Sequence, residues 1–323
     1  MDTLGISIII PAFNRANTLP LCLDSLLGQT YTNFEIIVVD DHSTDDTRNV
    51  VSEYSEKDSR VKYVLQAEGL KGAQSARKTG VLKSSFEWLM FHDSDDTWEP
   101  NKIEIQLTYL ENEGYKTNCV FYSDCYLYDV NSKEKTEWKL PSVSNYVDLL
   151  DHPAPTFPTL FCSKELLLKA GNIDPNVPAY QEWDTSLLLA KHGGKFIHIK
   201  EPLFTYYVGG NDTISKSKVR EIAGRYYIYK KYESDIKKNL GEPNFRQKYF
   251  DLFDYFKNNI SEIENWNQNE LLCEFLNVFF YKYGSDIKDV NTLSIRQLMK
   301  LLIKKTIVWK LFRKFLDVKN YVD

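Results

Sequence analysis

An α/β fold is what this sequence predicts: a mixed, mainly parallel sheet flanked by helices, followed by a helical C-terminal region. Three features carry the prediction. From Ile6 to Phe91, short apolar runs rich in β-branched residues alternate with helix-like stretches, an order that implies right-handed crossovers and a parallel sheet. The first, second and fourth of these runs end in clusters of proline, asparagine or aspartate. Beyond about residue 215 the apolar spacing turns helical and stays so.

Ile6 to Ile10 reads as a buried parallel strand stopped by Pro11. Asn17 is placed to cap a helix with Leu19, Leu23, Leu26 and Leu27 on one side. Phe34 to Val39 is a second buried strand, closed by Asp40 and Asp41. Ser43 or Thr44 then caps a helix through Val50 and Tyr54. Val61 to Leu65 makes a third strand, Gly72 to Lys83 a helix, and Trp88 to Phe91 a fourth strand. Tyr126 to Trp138 reads as a hairpin turning at Asn131-Ser132. After a proline-rich loop, Pro153 to Pro158, come a strand (Thr159 to Cys162) and a helix (Lys164 to Ala170). A second helix runs from about Glu182 to Lys191, and two short strands follow, Phe196 to Ile199 and Leu203 to Tyr207. The expected domains are 1–214, with halves 1–125 and 126–214, and a helical region 215–323.

A chain of 323 residues can bury a full core. Its net charge of −5 argues against nucleic acid as a partner. Cys22, Cys119, Cys125, Cys162 and Cys273 lack Cys-x-x-Cys spacing and lie in apolar stretches, as buried free thiols in a reducing compartment would. No basic leader precedes the first apolar run, and no stretch approaches the roughly 20 apolar residues that span a bilayer. A cytoplasmic or peripheral location is the expectation. His42, His92, His152, His192 and His198 show no ligand spacing and read as structural.

In open α/β sheets, ligands sit beyond the carboxyl ends of the strands. Those ends here carry Pro11 to Asn14, Asp40-Asp41 and His92 to Asp96. Side chains two apart in an extended segment point the same way, so Asp93 and Asp95 can converge on one point. Such a pair offers hard oxygen ligands for Mg²⁺ or Mn²⁺ that also bind phosphate. The plainer alternative is an acidic turn capping the helix that starts near Glu99-Pro100, and for Asp96 and Thr97 it weighs equally. Asp40-Asp41 can likewise be read as a simple strand-to-helix turn.

The segment SIIIPAFNRANTLPLCLDSLLGQTYTNFEIIVVDDHSTDDT, the Ala76-Arg77 pair in GAQSARKTG and the stretch FHDSDDTWEP follow one another in this order. Together they resemble family 2 inverting glycosyltransferases, which have the GT-A (nucleotide-diphospho-sugar transferase) fold. The resemblance covers roughly the first two hundred residues and says little about the sugar. It implies transfer of a sugar from a nucleotide diphosphate donor, UDP by preference, to a hydroxyl of a glycan or lipid-linked glycan in cell-surface polysaccharide synthesis. It also implies a Mn²⁺ or Mg²⁺ cofactor. Pro11, Phe13 and Asn14 would pack against the nucleotide base, with Phe13 where the family often has Tyr. Asp41 would accept a hydrogen bond from the base, supported by Asp40. Arg77 would reach the base or phosphates. Asp93, with Ser94 beside it, would contact the nucleotide and share the metal, and Asp95 would coordinate that metal. Lys78 stands where the family usually has Asn.

Inverting transfer needs a base within hydrogen-bond reach of the acceptor hydroxyl. Tyr180-Gln181-Glu182-Trp183-Asp184 is similar to the family's acidic motif, which places Glu182 as the base and Asp184 second. Trp183 is a candidate wall for a sugar ring. Acidic residues also suit a helix's first turn on electrostatic grounds alone. Leu188 replaces an Arg common in the family, and Tyr206 to Gly210 contain no counterpart of a His that many relatives carry.

From Arg296 to Lys319, apolar residues (Leu298, Leu302, Trp309, Phe312, Leu316) and basic ones (Lys300, Lys304, Arg313, Lys314) fall on different sides of a helix. A membrane-surface contact and packing against the protein or a twin subunit both fit this pattern. Transfer to a polyprenyl phosphate and a catalytically silent nucleotide-sugar-binding module are the competing functions. The silent module predicts broken acidic motifs, whereas Asp41, Asp93, Asp95 and Glu182 are all present. A dinucleotide-dependent oxidoreductase is disfavoured because PAFNRAN, and not a glycine-rich turn, follows the first strand.

Overall fold

The computed structural model describes residues 4–153, 155–209, 217–259 and 269–283. The chain divides into two compact units, Met1–Ile214 and Ser215–Asp323. The first contains β1 (Ile6–Ala12), α1 (Leu19–Leu27), β2 (Phe34–Asp40), α2 (Thr47–Lys57), β3 (Val61–Leu65), α3 (Ala73–Lys83) and β4 (Trp88–Phe91). These are followed by β5 (Thr97–Trp98), α4 (Lys102–Asn112), β6 (Cys119–Asp129), β7 (Lys135–Trp138) and α5 (Tyr146–Asp151). A 3₁₀ turn (Phe157–Thr159), β8 (Phe161–Ser163), α6 (Lys164–Lys169), α7 (Gln181–Lys191) and β9 (Lys195–Val208) complete it.

The strands form one sheet in the order β3-β2-β1-β4-β8-β6-β9-β5, with β7 paired to β6. The β3-β2-β1-β4 half is parallel throughout. β8 joins β4 and β6 in antiparallel fashion, and β9 returns parallel to β6. Side chains alternate across the strands. Ile8, Ile10, Ile36 and Val38 pack with α1, α2 and α4 through Leu23, Leu26, Val51 and Ile103. Ile37 and Val39 face the other way, against Ala76 of α3. Both faces are therefore covered, which is why the parallel strands read as unbroken apolar runs.

Gly80 lets α3 lie close on the sheet: a Cβ there would stand 2.4 Å from Ile9 Cγ2. That approach sets the height of Arg77, one turn earlier on the same helix.

Some local expectations change. β1 continues through Pro11 to Ala12. Ile9 O accepts from His92 N, on the β4 side, and in a parallel strand residue 11 faces the same way. β4 has ended at Phe91, opposite Ile9, so no ladder bond is lost to the proline. Thr18 and Asp46, not Asn17, Ser43 or Thr44, occupy the N-cap positions of α1 and α2, and neither makes a side-chain cap bond. Asp96 does not cap α4, whose N-cap position is held by Asn101. The two strands expected at 196–199 and 203–207 are one strand, β9, with register shifts against β6 near Pro202. Cys273 is half-buried, while the other four cysteines are buried and free.

The second unit holds α8 (Lys218–Lys231), α9 (Glu233–Leu240), α10 (Glu242–Asn258) and α11 (Glu270–Tyr283). Its core is aromatic. Phe253 stacks on Phe279 with centroids 4.2 Å apart, Tyr226 meets Tyr249 edge to face, and both pack against Phe275 with tilted rings. Tyr226 donates to Glu274 Oε1 at 3.0 Å, giving this buried phenol a partner. No described helix is long and apolar enough to cross a membrane. The amphipathic stretch Arg296 to Lys319 lies outside the described residues.

Candidate active site

The carboxyl ends of β1, β2 and β4 bring the predicted residues to one side of the sheet. After β1, Phe13 stands 51% exposed, a free aromatic face beside polar groups. Asn14 adopts a left-handed φ of 52° and ties two loops together. Its backbone N–H donates to Ser43 Oγ at 2.9 Å, and its Oδ1 accepts from Thr44 N at 2.8 Å. The hydroxyl of Ser43 and the N–H of Thr44, expected at a helix cap, thus serve to lock the loop after β1 to the loop after β2.

Asp40 is buried and saturated, its carboxylate accepting from Ser43 N (2.9 Å) and Tyr63 Oη (2.8 Å). Asp41 differs. Oδ2 accepts from Gly72 N at 2.6 Å, while Oδ1 is buried with no partner among the described residues. Gly72 makes that contact with a φ of +88°, in the region glycine occupies at little cost. A buried carboxylate oxygen left unpaired is costly, so Asp41 presents an acceptor that a donor group on a ligand would satisfy.

The turn after β4 carries the acidic cluster. Asp93 and Asp95 are partly exposed, with side-chain accessibilities of 30% and 36%. Arg77 Nη2 donates to Asp93 Oδ1 at 2.5 Å, and Arg15 Nη2 lies 3.4 Å from Asp95 Oδ2. Burial, then the charge of Asp93, raises the Asp95 pKa despite Arg15. Ser94 is buried between them. Asp96 is fully buried, and its Oδ1 accepts from Tyr207 N at 3.0 Å. The turn is thereby fastened to the end of β9.

Arg77 is 6% exposed. Besides Asp93 it bonds Gln74 Oε1 (2.9 Å) and Gln181 Oε1 (3.3 Å), and its guanidinium lies 4.3 Å from the Phe157 ring centroid. One arginine thus joins the acidic turn to α7 and to the loop before β8. Sequence reasoning found Arg77 but not Gln181, Phe157 or Arg15, which become visible only when the chain closes on itself.

On the other side of the site, Tyr180 enters α7 in a left-handed conformation, φ 58° and ψ 39°. Such strain in a non-glycine residue is held by its surroundings. Glu182 is half-buried in the first turn. Its pKa is raised, by burial first, with Arg77 opposing and Asp93 adding. Asp184 is fully buried, so Glu182 is the better exposed of the two candidates. Trp183 is 2% exposed and donates its indole N–H to Leu149 O at 2.6 Å. It is a packed core residue and offers no open wall for a sugar ring.

This sheet, with acidic and aromatic groups at its strand ends, has the GT-A architecture of nucleotide-sugar enzymes. The profile described as "Glycosyl transferase family 2" matches residues 7–163. The Escherichia coli protein described as "UDP-Glc:alpha-D-GlcNAc-diphosphoundecaprenol beta-1,3-glucosyltransferase WfaP" is 30% identical over 229 residues, 70% of this chain and 85% of that one. Its E. coli counterpart WfgD, given the same activity, is 44% identical over 108 residues, 33% of this chain and 42% of that one. The match therefore spans less than half of WfgD's length. The chain belongs to glycosyl transferase family 2. Among solved structures, "Mannosyltransferase PcManGT from Pyrobaculum calidifontis in complex with GDP-Man and Mn2+" has a TM-score of 0.57, at 18% identity, with 93% of this chain and 88% of that one covered. That likeness shows the fold.

Proposed function

We propose that the chain transfers a sugar, with inversion, from a UDP-sugar to a hydroxyl of a glycan or lipid-linked glycan in cell-surface polysaccharide synthesis. The observation that carries this reading is Asp41. One of its oxygens is taken by Gly72 and the other is buried without a partner. A uracil imide offers one N–H, which suits one free oxygen. Guanine offers an N–H and an NH₂ side by side, which call for a bidentate acceptor. The exposed Phe13 is then the stacking face for the base, next to Pro11 and Asn14, and Asp40 holds the loop that carries Asp41.

The donor set of the acidic turn fits a hard divalent cation such as Mn²⁺ or Mg²⁺. Two carboxylates lie close enough for Asp93 to raise the Asp95 pKa. Among the described residues no group of three or more His, Cys, Asp or Glu could hold a metal alone. Asp95, with Asp93, would therefore share the ion with donor phosphates. A cation held there would offset the charge developing on the departing nucleoside diphosphate. Asp93, held by Arg77, keeps its second oxygen for the ribose or the ion, with Ser94 alongside.

In the transfer, the acceptor oxygen attacks the anomeric carbon from the face opposite the diphosphate. The bond from that carbon to the diphosphate oxygen breaks, and Glu182 takes the hydroxyl proton. A raised pKa makes Glu182 a stronger base than an ordinary carboxylate. In this reading residues 1–125 hold the donor and 126–214 the acceptor. The described activity of the two E. coli relatives, on a diphosphoundecaprenol-linked acceptor, supports a lipid-linked substrate and work at the inner face of the cell membrane. Incubation with a panel of UDP-sugars tests the reading: UDP release and a product of inverted anomeric configuration are expected. A product of retained configuration, or no release from any donor, would overturn it.

A further inference from the structure

Behind the acidic turn lies a group of buried polar side chains that the transfer reaction does not use. His92, Asp96 and Lys102 are all 0% exposed, and Trp98 is 4% exposed. His92 and Trp98 pack with tilted rings, centroids 5.0 Å apart, and Lys102 Nζ lies 5.1 Å from the Trp98 ring. Neither nitrogen of His92 makes a hydrogen bond of good geometry with a described residue. The same holds for Asp96 Oδ2, Trp98 Nε1 and Lys102 Nζ. His92, Trp98 and Lys102 bring four such atoms together, and Asp96 Oδ2 is a fifth at the end of the same turn; buried polar atoms left unpaired are costly. They include both kinds of partner: Trp98 and Lys102 donate, the Asp96 oxygen accepts, and a neutral imidazole does both.

We propose that Lys102 is a positioning residue which, through enclosed water shared with Trp98, His92 and Asp96, braces the Asp93–Asp95 turn from behind. A buried water forms about three hydrogen bonds and serves as donor and acceptor at once, which the five atoms together require. The front of the turn carries the partly exposed Asp93 and Asp95. Its flanks are tied by His92 N to Ile9 O (3.0 Å) and by Asp96 Oδ1 to Tyr207 N (3.0 Å). The enclosed network supplies the third side, so the carboxylates are held at a fixed separation before any ligand arrives. Groups that orient metal ligands from behind commonly change metal affinity about 10–100-fold when removed.

This role rests on the donor-site reading above, and the test separates the two. A crystal structure that resolves ordered solvent should show enclosed water bridging Lys102 Nζ or Trp98 Nε1 to His92 or Asp96 Oδ2. A dry interior, or Lys102 turned out to solvent, would overturn the proposal. In solution, Lys102→Met should weaken Mn²⁺ binding to the UDP-loaded protein by about tenfold and leave UDP affinity in EDTA unchanged. Trp98→Phe, which removes the indole N–H together with part of the buried ring, should act in the same direction if Lys102→Met fails to fold. Unaltered Mn²⁺ titrations in both variants would refute the positioning role. Should wild-type protein show no Mn²⁺ dependence, the donor-site reading fails instead. The network then stands or falls on the enclosed water in the crystal structure alone.

Discussion

The two ends of the β1–β2 pair treat buried carboxylates in opposite ways. At the amino end, Glu35 is surrounded: Ser7 Oγ (2.6 Å) and Ser85 N (2.6 Å) donate to one oxygen, and Lys62 Nζ (2.5 Å) and Ser85 Oγ (3.0 Å) to the other. At the carboxyl end, Asp41 has one oxygen committed and one left over, beside a half-exposed Phe13. Both ends belong to the same two strands and were built from equally apolar runs. The saturated end spends its hydrogen bonds on holding strands, helix and turn together. The unsaturated end keeps capacity in reserve, and this is where a ligand gains most by binding.

The comparison can be broken in several ways, most sharply on the catalytic side. Glu182→Gln should lower kcat about 10²–10⁴-fold while leaving donor binding intact, measured by steady-state transfer and by calorimetry. In the wild type, kcat should rise with pH through the Glu182 pKa. That value is raised, so the protonated, inactive form persists to higher pH than for an ordinary carboxylate and activity is lost as pH falls below it. Comparable binding loss in Glu182→Gln would place this residue on the donor instead.

A smaller effect is expected from Asp41→Asn, which removes the charge from the unpaired acceptor. UDP binding should weaken by about 10–100-fold, the equivalent of one charged hydrogen bond, with little change in Tm. At the opposite end, Glu35→Ala should show the reverse pattern: a stability loss of about 1–3 kcal/mol and unchanged UDP affinity. Burial raises the Glu35 pKa, but the bonds from Lys62, Ser7 and Ser85 outweigh it and the net shift is downward. Its stabilisation is therefore present above the unfolded-state value and lost as pH falls through the folded one. Urea unfolding of Glu35→Ala should accordingly show a weaker acid dependence than wild type.

The smallest effect is expected from Gly80→Ala. The new Cβ meets Ile9 Cγ2, and overpacking of this kind costs about 1–3 kcal/mol, offset by about 1 kcal/mol of helix propensity. A net loss near 1 kcal/mol by thermal unfolding is the expected result. Gly80→Ala more stable than wild type would mean that α3 is free to move away from β1.

The parallel half of the sheet was legible because its strands are buried on both faces, which writes continuous β-branched runs into the sequence. The strand-end residues were legible because acidic and small polar side chains interrupt those runs abruptly. Other features were hidden for physical reasons. Pro11 reads as a stop because sequence does not show that β4 ends two residues short of it. Ser43 and Thr44 have good capping chemistry, but Asn14, some 30 positions away, claims it. Trp183 reads as a candidate ligand wall, whereas the carbonyl of Leu149 takes its indole N–H into the core. Lys102 and His92 are polar letters, and nothing local signals that both are sealed from solvent behind the motif turn. The misses at Pro11, Ser43, Thr44 and Trp183 share one cause, a partner distant in sequence.

The most direct test of a metal-assisted nucleotide-diphosphate site is calorimetry of UDP with Mn²⁺ and with EDTA, on wild type and on Asp95→Ala. Binding that requires Mn²⁺ in wild type and is lost in Asp95→Ala is the predicted result. Equal UDP binding in all four conditions would contradict the assignment of Asp95, and no binding in any of them would contradict the donor site itself.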